Sequence, residues 1–333
     1  MHSFGFKVVP SDDGVSGIPV AVAGQSMVDI QRLLTDIGGM IVRMELRIQN
    51  EVPEALLRKF DLSIGGSSAS GLGSDPAEGS QEIMEAALNT LCNTLDYLGK
   101  GIVDTWMDDN YPDPVGRQRV AADLVALADD LKGYVLMYGP AESQRAFRGL
   151  DRDKLLPYAE ARTDIMDGAA IGVISRDPVH KNRWVISHGP EPVPISFGDN
   201  ISPADIPSFA SAGPVIVIGG IARRDGAVSE VRGVTGCYSF PDVKYYRIVT
   251  ADRDVRLLNP SIARPSYDAS RRMWRLTNDD LGIDVSKPSW DEVSVAYNEY
   301  FLFLWETYYE SGDEFEGEDK EIRDFLMSLA PVL

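Results

Sequence analysis

The chain has 333 residues, 44% of them hydrophobic and 9% aromatic, a length that predicts two domains and a composition that excludes a disordered chain. Against 51 acidic residues stand 32 basic ones, and the resulting charge of −19 repels phosphate backbones, disfavours double-stranded nucleic acid and attracts basic partners. No apolar run reaches about 18 residues and the N-terminal MHSFGFKVVPSDDG lacks the pattern of a secretory leader, so a soluble, cytoplasmic protein with no membrane span is expected.

In chain order, residues 18–24, IPVAVAG, read as a short apolar strand. From Ser26 onward Met27, Ile30, Leu33, Leu34, Ile37, Ile41, Met44 and Ile48 recur at helical spacing and predict one long core-facing helix. Gly38 and Gly39 interrupt it at roughly 1 kcal/mol each relative to alanine, which predicts a kink or a close crossing there. VPEALLRKF continues as a shorter helix and DLSI as a strand. Residues 65–80, GGSSASGLGSDPAEGS, form a glycine- and serine-rich loop without the Gly-Lys-Ser/Thr ending through which a phosphate loop holds phosphate and magnesium.

Ser80 is the expected N-cap of a second helix with Ile83, Ala87, Leu88, Leu91, Leu95 and Leu98 on one stripe. Asp108, Asp109 and Asp113 in DDNYPDP are candidate cation ligands. Hard-cation loops, however, alternate carboxylates around a glycine turn, and the two prolines here favour a connection between helices. A third helix follows with Val120, Leu124, Leu127 and Leu131 aligned, passing into a strand at YVLMY.

Composition changes near residue 160. AAIGVIS, RWVIS, VPISF, VIVIGGIAR, VSEVRGV, YYRIV and VRLL are short β-like pieces separated by proline, glycine and aspartate turns. The expected fold is therefore α+β. Residues 1–160 form a helix-rich domain with a few strands, and residues 161–333 a small antiparallel β-barrel or sandwich followed by an amphipathic helix. Asp225-Gly226 predicts a hairpin turn, and Arg223, Arg224 and Arg232 around it make the most basic patch of an acidic chain. With Lys244, Tyr245, Tyr246 and Arg247 this is where a single strand of nucleic acid would stack, although arginines beside a turn are ordinarily just solvated.

Candidate chemistry is sparse. Cys92 and Cys237 form no CxxC pair, so neither a disulfide framework nor a thiolate zinc site is implied. His180 and His188 flank the strand KNRWVIS and fall at its opposite ends. Asp252 and Asp254 in TADRDVRL are the candidate catalytic carboxylates, since a spacing of two puts both on one side of a strand; a plain turn is the competing reading. No cofactor is implied.

In SKPSWDEV, Ser289 and Glu292 stand at the spacing of a capping box and predict a helix start. Val293, Tyr297, Tyr300, Phe301, Leu304 and Tyr308 then mark one face, widened by Phe303 and Trp305. Trp290, Tyr297, Phe301 and Trp305 are the candidate aromatic anchors for a partner or a second copy, against the reading that the protein's own sheet covers them. Glu310, Asp313, Glu314, Glu316, Glu318 and Asp319 read as a solvated loop before a last short helix.

The stretch WRLTNDDLGIDVSKPSWDEV and the helix ending in FLWETYY resemble, over about residues 272–310, the strand-then-helix unit of HicB-like antitoxin domains. The family's T/S-x-x-E-A pattern has Val293 in place of its alanine, and DDLGI replaces its PGC-type turn. The resemblance implies a protein-binding unit and carries over no catalytic residues. The expected function is a noncatalytic protein-binding module, antitoxin-like or associated with phage defence, that docks a basic partner, with self-association as a further possibility. The alternative is a hydrolase dependent on acidic residues.

Overall fold

Phe6 and Val8, two residues apart and both buried, flank the exposed Lys7 as the alternation of a strand requires. In the computed structural model they lie on β1 (Phe4–Pro10), the first element of the described residues, which are 4–11, 17–64, 71–74, 81–140, 142–161, 165–224 and 227–330. The chain divides into two units, Met1–Ile41 with Pro53–Thr163, and Val42–Val52 with Asp164–Leu333. The break near Thr163 is close to the composition change, whereas the assignment of Val42–Val52 to the second unit has no signature in the helical pattern that runs through it.

In the first unit β1 is followed by α1 (Val20–Leu46, its last turns belonging to the second unit), α2 (Glu54–Leu57), β2 (Ser63–Ile64), β3 (Gly71–Ser74), α3 (Gln81–Gly99), α4 (Asp104–Asn110), α5 (Pro114–Asp130), β4 (Tyr134–Pro140), β5 (Arg145–Phe147) and α6 (Arg152–Ala159). The strands form one antiparallel sheet in the order β2-β3-β1-β4-β5. Leu33, Leu34 and Ile37 of α1, Ile83, Leu91 and Leu95 of α3, and Leu124 and Leu127 of α5 are buried. Each such side chain contributes about 2 kcal/mol of burial, which is what holds these stripes as helices.

The expected strand at residues 18–24 is instead the start of α1. Pro19 accepts from Ala23 N at 3.1 Å, so the helical ladder begins there, and Val20, 89% exposed, has no sheet to join. Cooperative extension of a long helix overrides the β preference of two valines. Gly38 and Gly39 leave α1 unbroken; a Cβ on Gly38 would overlap the Phe60 ring, so the close crossing is the part of that expectation that holds. Ser80 and most of the glycine-serine loop lie outside the described residues.

The second unit continues with β6 (Ile165–Arg176), β7 (Trp184–Ser187), β8 (Val193–Phe197), α7 (Ile206–Ser211), β9 (Pro214–Arg224) and β10 (Ala227–Ser239), then β11 (Val243–Val249), β12 (Asp254–Asp268), β13 (Met273–Asn278), β14 (Ile283–Lys287), α8 (Trp290–Leu304) and α9 (Gly317–Leu329). Pairings β10-β8-β7-β6-β9 close on themselves through β9–β10 around Ala170, Ile174, Ile186, Val217 and Val231. One pair, β8–β10, is parallel, which corrects the expectation of a purely antiparallel arrangement: α7 carries the chain across before β9 and β10 form their hairpin. Arg224 pairs with Ala227 across that hairpin, and Asp225-Gly226 itself lies outside the described residues.

A meander, β11-β12-β13-β14, forms the second sheet, and α8 packs on it over Val243, Tyr245, Trp274 and Leu276. No helix among the described residues is long and apolar enough to cross a membrane. The α+β class is therefore the observed one.

Candidate interaction surface

The start of α8 is fixed by the predicted capping box: Ser289 Oγ accepts from Glu292 N at 3.1 Å, and Glu292 Oε2 accepts from Ser289 N at 3.1 Å. Asp291, the second residue of α8, accepts from Gln49 N at 2.7 Å, Asn50 N at 3.0 Å and Asn50 Nδ2 at 2.8 Å. Trp290 Nε1 donates to Arg47 O at 3.0 Å. Gln49 and Asn50 reach on into the strands: Gln49 Oε1 accepts from Ile171 N at 3.1 Å and Asn50 Oδ1 from Val228 N at 3.2 Å. The 42–52 segment is thus a hub joining α8 to β6 and β10.

Arg223 belongs to that hub, donating to Gln49 O at 2.5 Å, so this member of the basic patch serves the interior. His188 lies beside it, buried, and burial pushes its imidazole toward the neutral form; Arg223 acts in the same direction and Asp291 against it. Arg224 is exposed, and exposed Arg232 pairs with Glu230 at 2.6 Å. Tyr245 is fully buried and Arg247 faces Glu45 at 4.0 Å, leaving Lys244 and Tyr246 exposed on β11. The nucleic-acid surface anticipated around these residues is therefore not brought together.

Trp290, Tyr297, Phe301 and Trp305 are all buried. Trp290 meets Trp274 and Phe240 edge-on at 5.3 and 4.9 Å, and Tyr297 stacks on Tyr245 at 5.1 Å. Tyr297 OH shares a 2.6 Å hydrogen bond with Ser261 Oγ and accepts from Asn278 Nδ2 at 3.2 Å, while Asn298 Oδ1 accepts from Val249 N at 2.9 Å. The sheet, with Tyr309 set 4.1 Å from Trp305, buries this face, so its rings are core and offer nothing to a partner.

The opposite face of α8 is different. Tyr300 and Phe303 are 42% and 57% exposed with ring centroids 6.1 Å apart, and exposed Glu299 and Glu306 flank them. Beyond them the backbone passes through a π-helical turn, Trp305–Glu310, pinned where Glu310 takes both Nη atoms of Arg253 at 2.9 and 2.8 Å and accepts from Trp305 Nε1 at 3.0 Å. That bidentate pair holds the Glu310 carboxyl below its ordinary range. From Glu310 to Asp324 the sequence carries eight carboxylates and two cations, Lys320 and Arg323. The run is not wholly a loop: Glu318 and Asp319 occupy the first turn of α9, where the helix dipole favours them.

Of the candidate catalytic pair, Asp252 sits exposed in the turn closed by Thr250 N and Arg253 O at 3.0 Å, and Asp254 is buried at the first position of β12. The turn reading is the one realised, because β12 begins too late to align the two side chains. Asp108 pairs with Arg117, Asp109 is exposed on α4, and Asp113 caps α5 by accepting from Gly116 N at 3.2 Å. Among the described residues no group of three or more His, Cys, Asp or Glu could hold a metal ion. Burial pushes the Cys92 thiol up to about 12 and the Cys237 thiol to about 11, far from nucleophilic thiolates at neutral pH.

The sequence reading merged Tyr300 and Phe303 with the buried stripe. The available signal was their glutamate flanks at positions 299 and 306, which mark a solvent-facing side of the helix. No family model, no curated protein and no solved structure matches the chain.

Proposed function

We propose that this is a noncatalytic binding module whose C-terminal face docks a basic protein. The observation that carries the reading is the exposed Tyr300–Phe303 pair set between Glu299 and Glu306 and followed along the chain by the carboxylate-rich stretch Glu310–Asp324. Exposed rings accept the aliphatic stems and cationic heads of lysine and arginine, and surrounding carboxylates steer such a partner and neutralise it. The resemblance of residues 272–310 to HicB-like antitoxin domains favours a partner of the toxin kind, and the finer reading is an antitoxin-like or phage-defence role.

The test is capture from native cells with the tagged full chain as bait, comparing wild type with the double variant Tyr300→Ser/Phe303→Ser. A stoichiometric basic protein should co-elute with wild type, be lost from the variant, and be released at about 0.5 M salt, where the Debye length is only a few ångströms. Equal capture by both baits, or no partner in either, would defeat the reading.

A further inference from the structure

Independently of partner binding, the first unit contains four carboxyl groups arranged in two facing pairs. On α1, Asp29 and Asp36 are seven residues apart and so share a face two turns apart; Asp123 and Asp130 have the same spacing on α5. Met40 lies against Gly116, Asp36 against Asp123 and Asp29 against Asp130, an order that makes the two helices antiparallel along this seam. In each pair the two carboxyls come within hydrogen-bonding reach. Two carboxylates can only accept, so such a bond exists only when one oxygen carries a proton.

A second, independent observation points the same way. Asp29 is 1% exposed, its Oδ1 accepts from Gln25 Nε2 at 3.1 Å, and its Oδ2 has no hydrogen-bond partner among the described residues. Oδ2 is an oxygen that a bound proton would convert from an unsatisfied acceptor to a donor. Among the described residues Arg32 lies 3.9 Å from Asp29 Oδ1 and Arg119 lies near Asp36. Arg32 is 60% exposed at its side chain, so water screens its attraction for the buried Asp29 carboxyl.

We propose that the α1/α5 seam is a proton-operated clasp, closed when Asp29, facing Asp130, and the Asp36–Asp123 pair each hold a proton and loosened when Asp29, Asp36 and Asp123 ionise. The proton comes from and returns to water, with no other group changed. Burial first, and the facing carboxyls second, push Asp123 up to about 7; burial chiefly raises Asp29 to about 6 and raises Asp36. The sign follows from linkage. A carboxyl whose folded value is raised binds more proton folded than unfolded, so its stabilising contribution is complete below about pH 4 and lost as pH rises through about 6 to 7. The clasp thus works across the near-neutral range.

The test uses the full chain. Wild type, Asp123→Asn and the exposed control Asp153→Asn are melted from about pH 5 to about pH 8, and the α1 and α5 amides of wild type are followed by hydrogen exchange over the same range, corrected for intrinsic rates. Wild type and control should each lose roughly 5 °C of Tm across the range while Asp123→Asn stays flatter, and wild-type protection of α1 and α5 should fall at least tenfold as Asp29, Asp36 and Asp123 ionise. An Asp123→Asn curve as steep as wild type would overturn the proposal. If that variant does not fold, the exchange data decide alone: seam protection constant with pH would equally overturn it.

Discussion

Gly38 stands where the α1 backbone and the Phe60 ring leave no room for a methyl group. Helix propensity alone would make Gly38→Ala stabilising by about 1 kcal/mol, but overpacking against an aromatic ring costs about 1–3 kcal/mol. The variant should therefore be less stable than wild type in urea denaturation; a more stable variant would show that Phe60 can swing aside. Tyr297→Phe argues the same way from hydrogen bonds. It deletes one hydroxyl and leaves Ser261 and Asn278 each short of a partner in a dry core, for an expected loss of about 1–3 kcal/mol with the fold intact by circular dichroism. At this scale sequence spacing identified Gly38 as a position of close approach and Tyr297 as part of an aromatic face. It could not identify Phe60, Ser261 or Asn278 as their neighbours, because those contacts close loops that no local pattern encodes.

Elements whose signal is local were the legible ones. The Ser289–Glu292 box, the glycine after Leu281 and the alternation along Met273–Asn278 each specify a turn or a period within a few residues, and the whole unit from β13 to α8 forms as its sequence suggests. Where a segment's fate depends on a distant partner, local reading failed: β1 needs β3 and β4, and residues 18–24 join a helix for want of a sheet edge. The buried side of α8 was marked by its apolar periodicity, but the side facing solvent, which carries the proposed docking residues, required knowing how much of the stripe the sheet could cover. A prediction belongs to the 42–52 hub. Asp291→Ala removes the acceptor of three donors and should cost on the order of 3 kcal/mol, with the amides of Gln49 and Asn50 exchanging roughly 100-fold faster. Ser289→Ala, which loses only the cap, should cost about 1 kcal/mol and leave those two amides protected. Similar exchange in both variants would mean the hub does not depend on Asp291.

For the molecule as a whole the dominant quantity is the net charge of −19, the excess of 51 acidic residues over 32 basic ones, which no cation of the chain is left to pair. Self-repulsion at that charge destabilises the compact state, and screening relieves it. Raising NaCl from about 0.02 M to about 0.3 M should lift Tm by roughly 2–4 °C; a fall instead would show that pairs such as Arg253–Glu310 and Arg275–Asp284 outweigh the net repulsion. Composition made this character plain from the outset, together with the α+β class, while the division of the chain was only partly visible because Val42–Val52 changes allegiance in the middle of a helix. That small defection sets a schedule for synthesis. Gln49 leaves the ribosome long before Asp291, its partner 242 positions later, so this side of the hub stays open while the growing chain lengthens, and the amides of Gln49 and Asn50 must wait on water until α8 has been made.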